Sequence, residues 1–391
     1  MAVPLMEGLR AVGVDFWTRL HETSEGRRAT TLLSRSIKSV LAALIYYSGL
    51  AGFLLKRLLR SQRASLIIGF HGITDVPPEF FSRGHHTSHV KSLLEFLHRH
   101  LHPISLEEIA AATSQGESPP PGSFAVTFDD GLVNNVRLVI PVLSRLNLSA
   151  TFFVPSALVG SETDLWVTSL RELLRVWRRE TIPEEPGLWS ELPTRNESER
   201  YAAFCRIKQV LKDNQSRRQT AVDQLARVAG GYVRPPEGDR VVDKERLRRM
   251  IQPGFSVGAH SRTHPILSAL DPEEARGEIE GSRQDLEELL GIPVRDFAYP
   301  NGRFSDFDET TCRLIVQAGY RCAVTTEPGT VRRGDDRLAL RRCMPRNVPV
   351  FLSSFDLITG VWADRRRPGD LTLPVGERLS YLTSREASSA A

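Results

Sequence analysis

The feature that most constrains this chain is an alternation of short, continuously apolar runs with longer helical patterns over some 280 residues. The apolar runs are Ser65–Phe70, Phe124–Phe128, Thr151–Val154, Phe255–Gly258, Phe297–Tyr299, Cys322–Thr325 and Leu338–Arg341. They do not alternate apolar with polar residues, which is how strands buried on both faces read. Helical patterns lie between them at Val90–Leu101, Leu106–Ala112, Val133–Leu146, Pro272–Leu290 and Glu309–Ala318. The fourth of these opens Asp271-Pro272-Glu273-Glu274, with an N-cap, a proline at the first helical position and acids in the first turn. Such alternation means a parallel α/β sheet, and seven strands fit one barrel-like domain.

Three segments stand outside this pattern. Residues 1–62 read as a basic helical leader, the domain proper spans 63–350, and 351–391 read as a C-terminal tail. Between the third and fourth strands, Gly160–Val242 is rich in Arg and Glu and reads as two or three helices inserted over one end of the barrel. The N-terminus lacks the charged start, apolar run and small-residue cleavage site of a signal peptide. Ser39–Leu55 is apolar but sits at the short edge for a membrane span. It reads as a helix packed on the main domain, as a peripheral membrane contact or as a span, so the expected location is cytoplasmic or inner-membrane-associated. A formal charge of +4 is too mild to argue for nucleic acid. The four cysteines show no CxxC spacing, which excludes a zinc ribbon and leaves buried free thiols.

Chemistry concentrates at three strand ends. Thr127-Phe128-Asp129-Asp130-Gly131 places two adjacent acids at the carboxyl edge of the sheet, where α/β proteins build their sites. Adjacent carboxylates repel unless a cation lies between them or their jobs differ; a turn with an N-cap is the structural alternative. His260-Ser261-Arg262-Thr263-His264 carries imidazoles four residues apart at the same edge. His85/His89 and His98/His102 share that spacing but have no acid pair to join. One carboxylate and two imidazoles make a facial set for Zn²⁺ or another divalent ion. One Asp would bind metal and its neighbour would take a proton. Phe297-Ala298-Tyr299-Pro300-Asn301-Gly302 ends a strand in a turn able to aim an N–H at a developing oxyanion.

Together these pieces resemble the polysaccharide deacetylase family (carbohydrate esterase family 4, the NodB-homology domain). TFDDG matches its first motif and HSRTH its second, in the right order. FAYPNGRF, AGYRCAVTTEPG and the early IIGFHGI extend the likeness over roughly residues 65–345. The resemblance implies a distorted (β/α)7 barrel with a divalent metal, most simply zinc, hydrolysing acetyl groups on N-acetylated sugars. It implies Asp129 as general base, Asp130, His260 and His264 as metal ligands, and the Asn301 N–H as oxyanion donor. Tyr299, Pro300 and Gly302 would then touch substrate. Two departures stand out. Ala298 occupies the place where the family's third motif often begins with an arginine that orients the catalytic Asp. No histidine follows His264, where many members have a general acid; His71, at the end of the first apolar run, is the substitute. These departures keep open a catalytically degenerate glycan-binding barrel, and an insertion that narrows the barrel mouth to a pocket keeps open an amidase on a small C–N substrate.

Overall fold

The structure is a computed structural model that describes residues 24–76, 81 and 84–364, with 24–35 as backbone alone. Its sheet comprises β1 (Leu66–Phe70), β2 (His102–Pro103), β3 (Ser123–Phe128), β4 (Ala150–Val154), β5 (Phe255–Ala259), β6 (Asp296–Ala298) and β7 (Cys322–Val324). The order is β1-β3-β4-β5-β6-β7, with β2 beside β3, and every pairing is parallel. Every residue of β1, β3 and β4 is buried, as continuous apolar runs require.

Six of the expected strands form. The seventh, Leu338–Arg341, is corrected to single parallel bridges, Val324↔Leu340 and Ile68↔Cys343, which draw the last strand back toward the first. This curls the sheet into the distorted barrel. Arg342 sits between the two bridges with its side chain fully buried, its guanidinium 5.9 Å from the Phe153 ring centroid. That inner face also carries Ile67, Ala125, Ala298 and Val324. The outer face, with Phe70, Phe124, Phe128, Phe152 and Phe297, packs against the surrounding helices. Each such side chain contributes roughly 1.5–3 kcal/mol on burial.

The helices that matter here are α1 (Ser24–Tyr47), α2 (Leu50–Ser61), α3 (Thr87–His100), α4 (Trp166–Arg175), α5 (Glu197–Asp213), α6 (Arg218–Ala229), α7 (Pro272–Leu290) and α8 (Val350–Ala363). Asp271 caps α7, accepting from the Glu273 and Glu274 N–H groups. The Gly160–Val242 segment carries α4, α5 and α6 around a core of its own, including Leu170, Trp177, Ile207 and Leu225. The expected helix over Val133–Leu146 forms over residues 133–145, with a π-helical stretch, Asn135–Val139, leading into Ile140–Arg145. Pro141 has no N–H to continue the ladder.

At the leader, α1 and α2 meet at a bend of 89° beside Gly49, whose φ is 78°. Ala42, Ala51, Leu55 and Leu59 are buried, and Lys38 pairs with Asp356 of α8 at 2.7 Å. Ile37, Val40, Leu44, Tyr47, Leu50 and Phe53 stand exposed. Among the described residues no single helix is long and apolar enough to cross a membrane; the bent pair is, by length and composition. The chain beyond 351 begins inside α8, and 365–391 lie outside the described residues.

Candidate metal centre and active-site cavity

The first two motifs meet at the carboxyl ends of β3 and β5. The Asp129 N–H donates to Phe70 O at 2.8 Å and the His260 N–H to Val154 O at 3.1 Å, so the ladders run right up to the site. Immediately afterwards the backbone turns through unusual conformations. Asp130 (φ 71°), Ser261 (φ 58°), His264 (φ 65°) and Asn301 (φ 62°) are four of the six described non-glycine residues with positive φ. Each costs of order 1–3 kcal/mol, and such strain gathers where side chains must be aimed. Gly131 continues the turn at φ 58°; a Cβ there would stand 2.9 Å from Val154.

Asp130, His260 and His264 each offer a donor atom, all within 4.8 Å of one another. Asp130 Oδ1 lies 3.9 Å from His260 Nε2 and 3.5 Å from His264 Nε2. Donors at about 2.1 Å from a tetrahedral ion stand roughly 3.4 Å apart, so the spacing fits a shared divalent cation. His260 Nδ1 lies 2.7 Å from Ala298 O. A carbonyl only accepts, so Nδ1 carries the proton and Nε2 presents its lone pair toward Asp130. Ser261 Oγ accepts from the His264 N–H at 3.0 Å and fixes the second imidazole's turn. The residues therefore fit a metal, with the donor set and its outer support both in place.

Asp129 points elsewhere. Its carboxylate receives both arms of the Arg342 fork, Nη1 to Oδ1 and Nη2 to Oδ2, each at 2.7 Å. Arg342 Nε donates to Thr325 O at 2.6 Å, and Nη1 also reaches Thr127 Oγ1 at 3.1 Å. Relative exposure is 0% for the Arg342 side chain and 1% for that of Asp129. Burial alone would raise the Asp129 pKa, but the charge and hydrogen bonds of Arg342 outweigh it, helped by His260 and His71. The carboxyl is held below its ordinary range and stays ionised. The arginine that Ala298 does not supply thus arrives from the segment closing the barrel. His71 Nε2 lies 3.8 Å from Asp129 Oδ2, and its side chain is 40% exposed.

The third motif is split between wall and core. Pro300 and Asn301 line a cavity of about 700 Å³ together with His71, Asp130 and His264. Thr326 anchors the turn, its Oγ1 donating to Asn301 O at 2.6 Å and its N–H to Gly302 O at 2.8 Å. Tyr299 is corrected: it is fully buried, its ring stacked 4.0 Å from Phe307 and its hydroxyl donating to Leu338 O at 2.9 Å. Strand alternation turns Ala298 inward and sends Tyr299 toward the helices. Gly302 also leaves the cavity wall; with φ 73°, its place is in the turn, where a Cβ would meet Thr326 N and Tyr299 O at 3.0 Å.

His85, set aside on sequence, lines the cavity. Its Nε2 donates to Pro345 O at 2.7 Å. Burial pushes its pKa down to about 4, with His89 and His71 adding to the effect against the Pro345 hydrogen bond. Its ring is therefore neutral at physiological pH. The insertion also contributes: Lys212 of α5 donates to Asn301 Oδ1.

With this geometry established, comparison with known proteins is decisive. The sequence profile of the polysaccharide deacetylase family matches residues 116–184 and 193–323, spanning both metal-ligand motifs.

The chain belongs to the polysaccharide deacetylase family.

Similarity to individual deacetylases is more distant. Bacillus subtilis (strain 168) YxkH, which bears the polysaccharide deacetylase name provisionally, is 30% identical over 99 residues. That match covers 25% of this chain and about a third (34%) of the relative. Among solved structures, the Streptococcus pyogenes deacetylase PplD in complex with acetate aligns with 76% of this chain and 98% of its own, at 18% identity and a TM-score of 0.49. IcaB from Ammonifex degensii aligns with 77% of this chain and 97% of its own, at 17% identity and a TM-score of 0.49.

Proposed function

We propose that this polysaccharide deacetylase family member is a metal-dependent hydrolase that removes acetyl groups from N-acetylated sugars of a glycan or glycoconjugate. The observation that carries the reading is the division of labour between the two acids: Asp130 faces His260 and His264, while Asp129 is held apart and ionised by Arg342. A binding module has no need of a ligand set beside a separately oriented base.

In this reading Asp130, His260 and His264 hold a divalent ion, zinc in the simplest case, which when bound supplies Lewis-acid polarisation of the acetyl carbonyl. Asp129 accepts the proton of the attacking water, and Arg342 keeps that carboxylate aimed and charged. The Asn301 N–H donates to the oxyanion as it develops. His71 returns a proton to the leaving amine; its position beside Asp129 and its partial exposure suit it to meet both substrate and solvent. The turn containing Asn301 is pinned by Thr326 on one side and Lys212 on the other, so the donor is placed before substrate arrives. The exposed apolar face of the bent leader supports a membrane contact through 39–55.

Arg342 removes one of the two reasons for reading the barrel as degenerate. The test is acetate release from N-acetylated mono- and oligosaccharides by the zinc-loaded protein. Release that stops on metal removal and returns on reloading is expected. A metal-loaded protein that releases acetate from none of a broad set of N-acetylated sugars contradicts the reading.

A further inference from the structure

The insertion gives the cavity an electrostatic character that the deacetylation chemistry does not require. Lys208 and Lys212, one turn apart on α5, Arg218 at the start of α6, and Arg303 after the third motif all line it. Lys208, Arg218 and Arg303 are each close enough to act on the charge of Lys212. Lys212 has its pKa lowered by burial first and then by Lys208, with Arg303 and Arg218 adding and Asp306 alone opposing. Asp306 is already engaged, accepting from Asn301 Nδ2 and from the Arg303 N–H at 2.7 Å.

None of the four forms an ion pair with a carboxylate among the described residues. Lys208 lies over the Phe204 ring at 5.2 Å and Arg218 over the Trp166 ring at 4.4 Å. Arg218 otherwise donates to Leu211 O and Gln215 Oε1. Elsewhere the same insertion pairs several of its arginines with carboxylates: Arg171 with Asp239, Arg195 with Glu199 and Arg217 with Glu185. The wall shared with the candidate active site thus gathers four cations that have no carboxylate partner. The carboxylates on that cavity are Asp130, a proposed metal ligand, and Glu327, which accepts from the Phe304 N–H at 3.0 Å.

Like charges kept together in a half-buried cavity cost free energy unless an anion joins them. A single carboxylate would answer one of four cations, whereas a phosphoryl group offers two charges and several acceptor oxygens to ammonium and guanidinium groups. The cavity, at about 700 Å³, is of the size that takes one or two sugar rings with such a group.

We propose that Lys208, Lys212, Arg218 and Arg303 form a phosphoryl-binding subsite, so that the substrate is an N-acetylated sugar carrying a phosphate or diphosphate rather than a neutral polymer. This rests on the deacetylase reading for the acetyl group and on the insertion alone for the phosphoryl group. A sugar phosphate and a sugar linked through diphosphate to a lipid carrier share the chemistry.

The test is calorimetric binding to zinc-loaded Asp129→Asn protein, with N-acetylglucosamine, N-acetylglucosamine 1-phosphate and inorganic phosphate as probes. The phosphorylated sugar is expected to bind roughly tenfold or more tightly than the neutral one, with the advantage shrinking as salt is raised. In a Lys208→Ala/Arg218→Gln background the advantage collapses. Equal binding of the two sugars by the Asp129→Asn protein overturns the proposal, and does not depend on the further substitutions. So does an advantage that survives unchanged in the double variant, because Lys208 and Arg218 would then take no part in seating the phosphate. N-acetylglucosamine on a polyprenyl diphosphate in detergent separates the two sources. Tighter binding than the monophosphate marks a lipid-linked substrate, and equal binding a soluble one. A phosphoryl preference without acetate release from the wild-type enzyme would leave this subsite standing and bring down the deacetylase reading instead.

Discussion

Replacing Asp129 by Asn is expected to lower kcat by about 10³-fold or more while metal content stays that of the wild type. The amide keeps the size of the side chain but cannot accept the proton of the attacking water. It also breaks the paired fork, since one of its two arms is now a donor facing an arginine that only donates. Asp130, His260 and His264 are untouched, so the metal should remain. Acetate release and metal analysis on the same preparation check both halves. Full activity in Asp129→Asn would place the base elsewhere, and loss of the metal would mean that the two acids are not divided as described.

The second large effect belongs to Arg342. It is fully buried and neutralises a fully buried carboxylate through two 2.7 Å hydrogen bonds. Arg342→Met leaves Asp129 charged and unpaired in the barrel interior. Breaking one side of a buried pair typically costs about 3–5 kcal/mol. The thermal midpoint should fall by roughly 5 °C, and acetate release should fall with it. Arg342→Lys is not expected to rescue, because a point charge cannot span both carboxylate oxygens and also reach Thr325 O and Thr127 Oγ1. The double variant Arg342→Met/Asp129→Leu removes both charges. It should regain much of the stability and none of the activity, which separates the cost of a buried charge from the loss of packing. A stable, fully active Arg342→Met would show that Asp129 needs no partner.

What the sequence makes legible follows from how local each signal is. Asp129, Asp130, His260 and His264 lie in unbroken motifs directly after apolar runs, so strand identity places them on one edge. The fold follows from those same runs, because buried parallel strands leave a continuous apolar trace. Arg342 is hidden for the opposite reason. It lies 213 positions from Asp129 and meets it only because the chain closes the curl through single bridges instead of a regular strand. The run Leu338–Arg341 looks like a strand but is satisfied by its neighbours one residue at a time.

Ala298 and Tyr299 teach a narrower lesson. The residue that stands in place of the motif's arginine supplies its backbone carbonyl to orient His260, while the aromatic beside it belongs to the outer core. Period-two alternation carries that signal, since neighbours on a strand face opposite ways. Lys208 and Lys212 are spaced to share a helix face, but nothing in the spacing reveals that the face looks into the active site. Only the packing of the insertion against the Asn301 turn does.

The central claim is that Asp130, His260 and His264 hold one metal ion. The most direct measurement is the metal content of the purified protein set against that of His264→Ala, each after reconstitution with zinc or cobalt. Unlike acetate release, it does not depend on having the right sugar. About one divalent ion per chain in the wild type, lost in the variant, is the expected result. A wild-type protein that takes up neither ion, or a His264→Ala variant that binds as the wild type does, would contradict it.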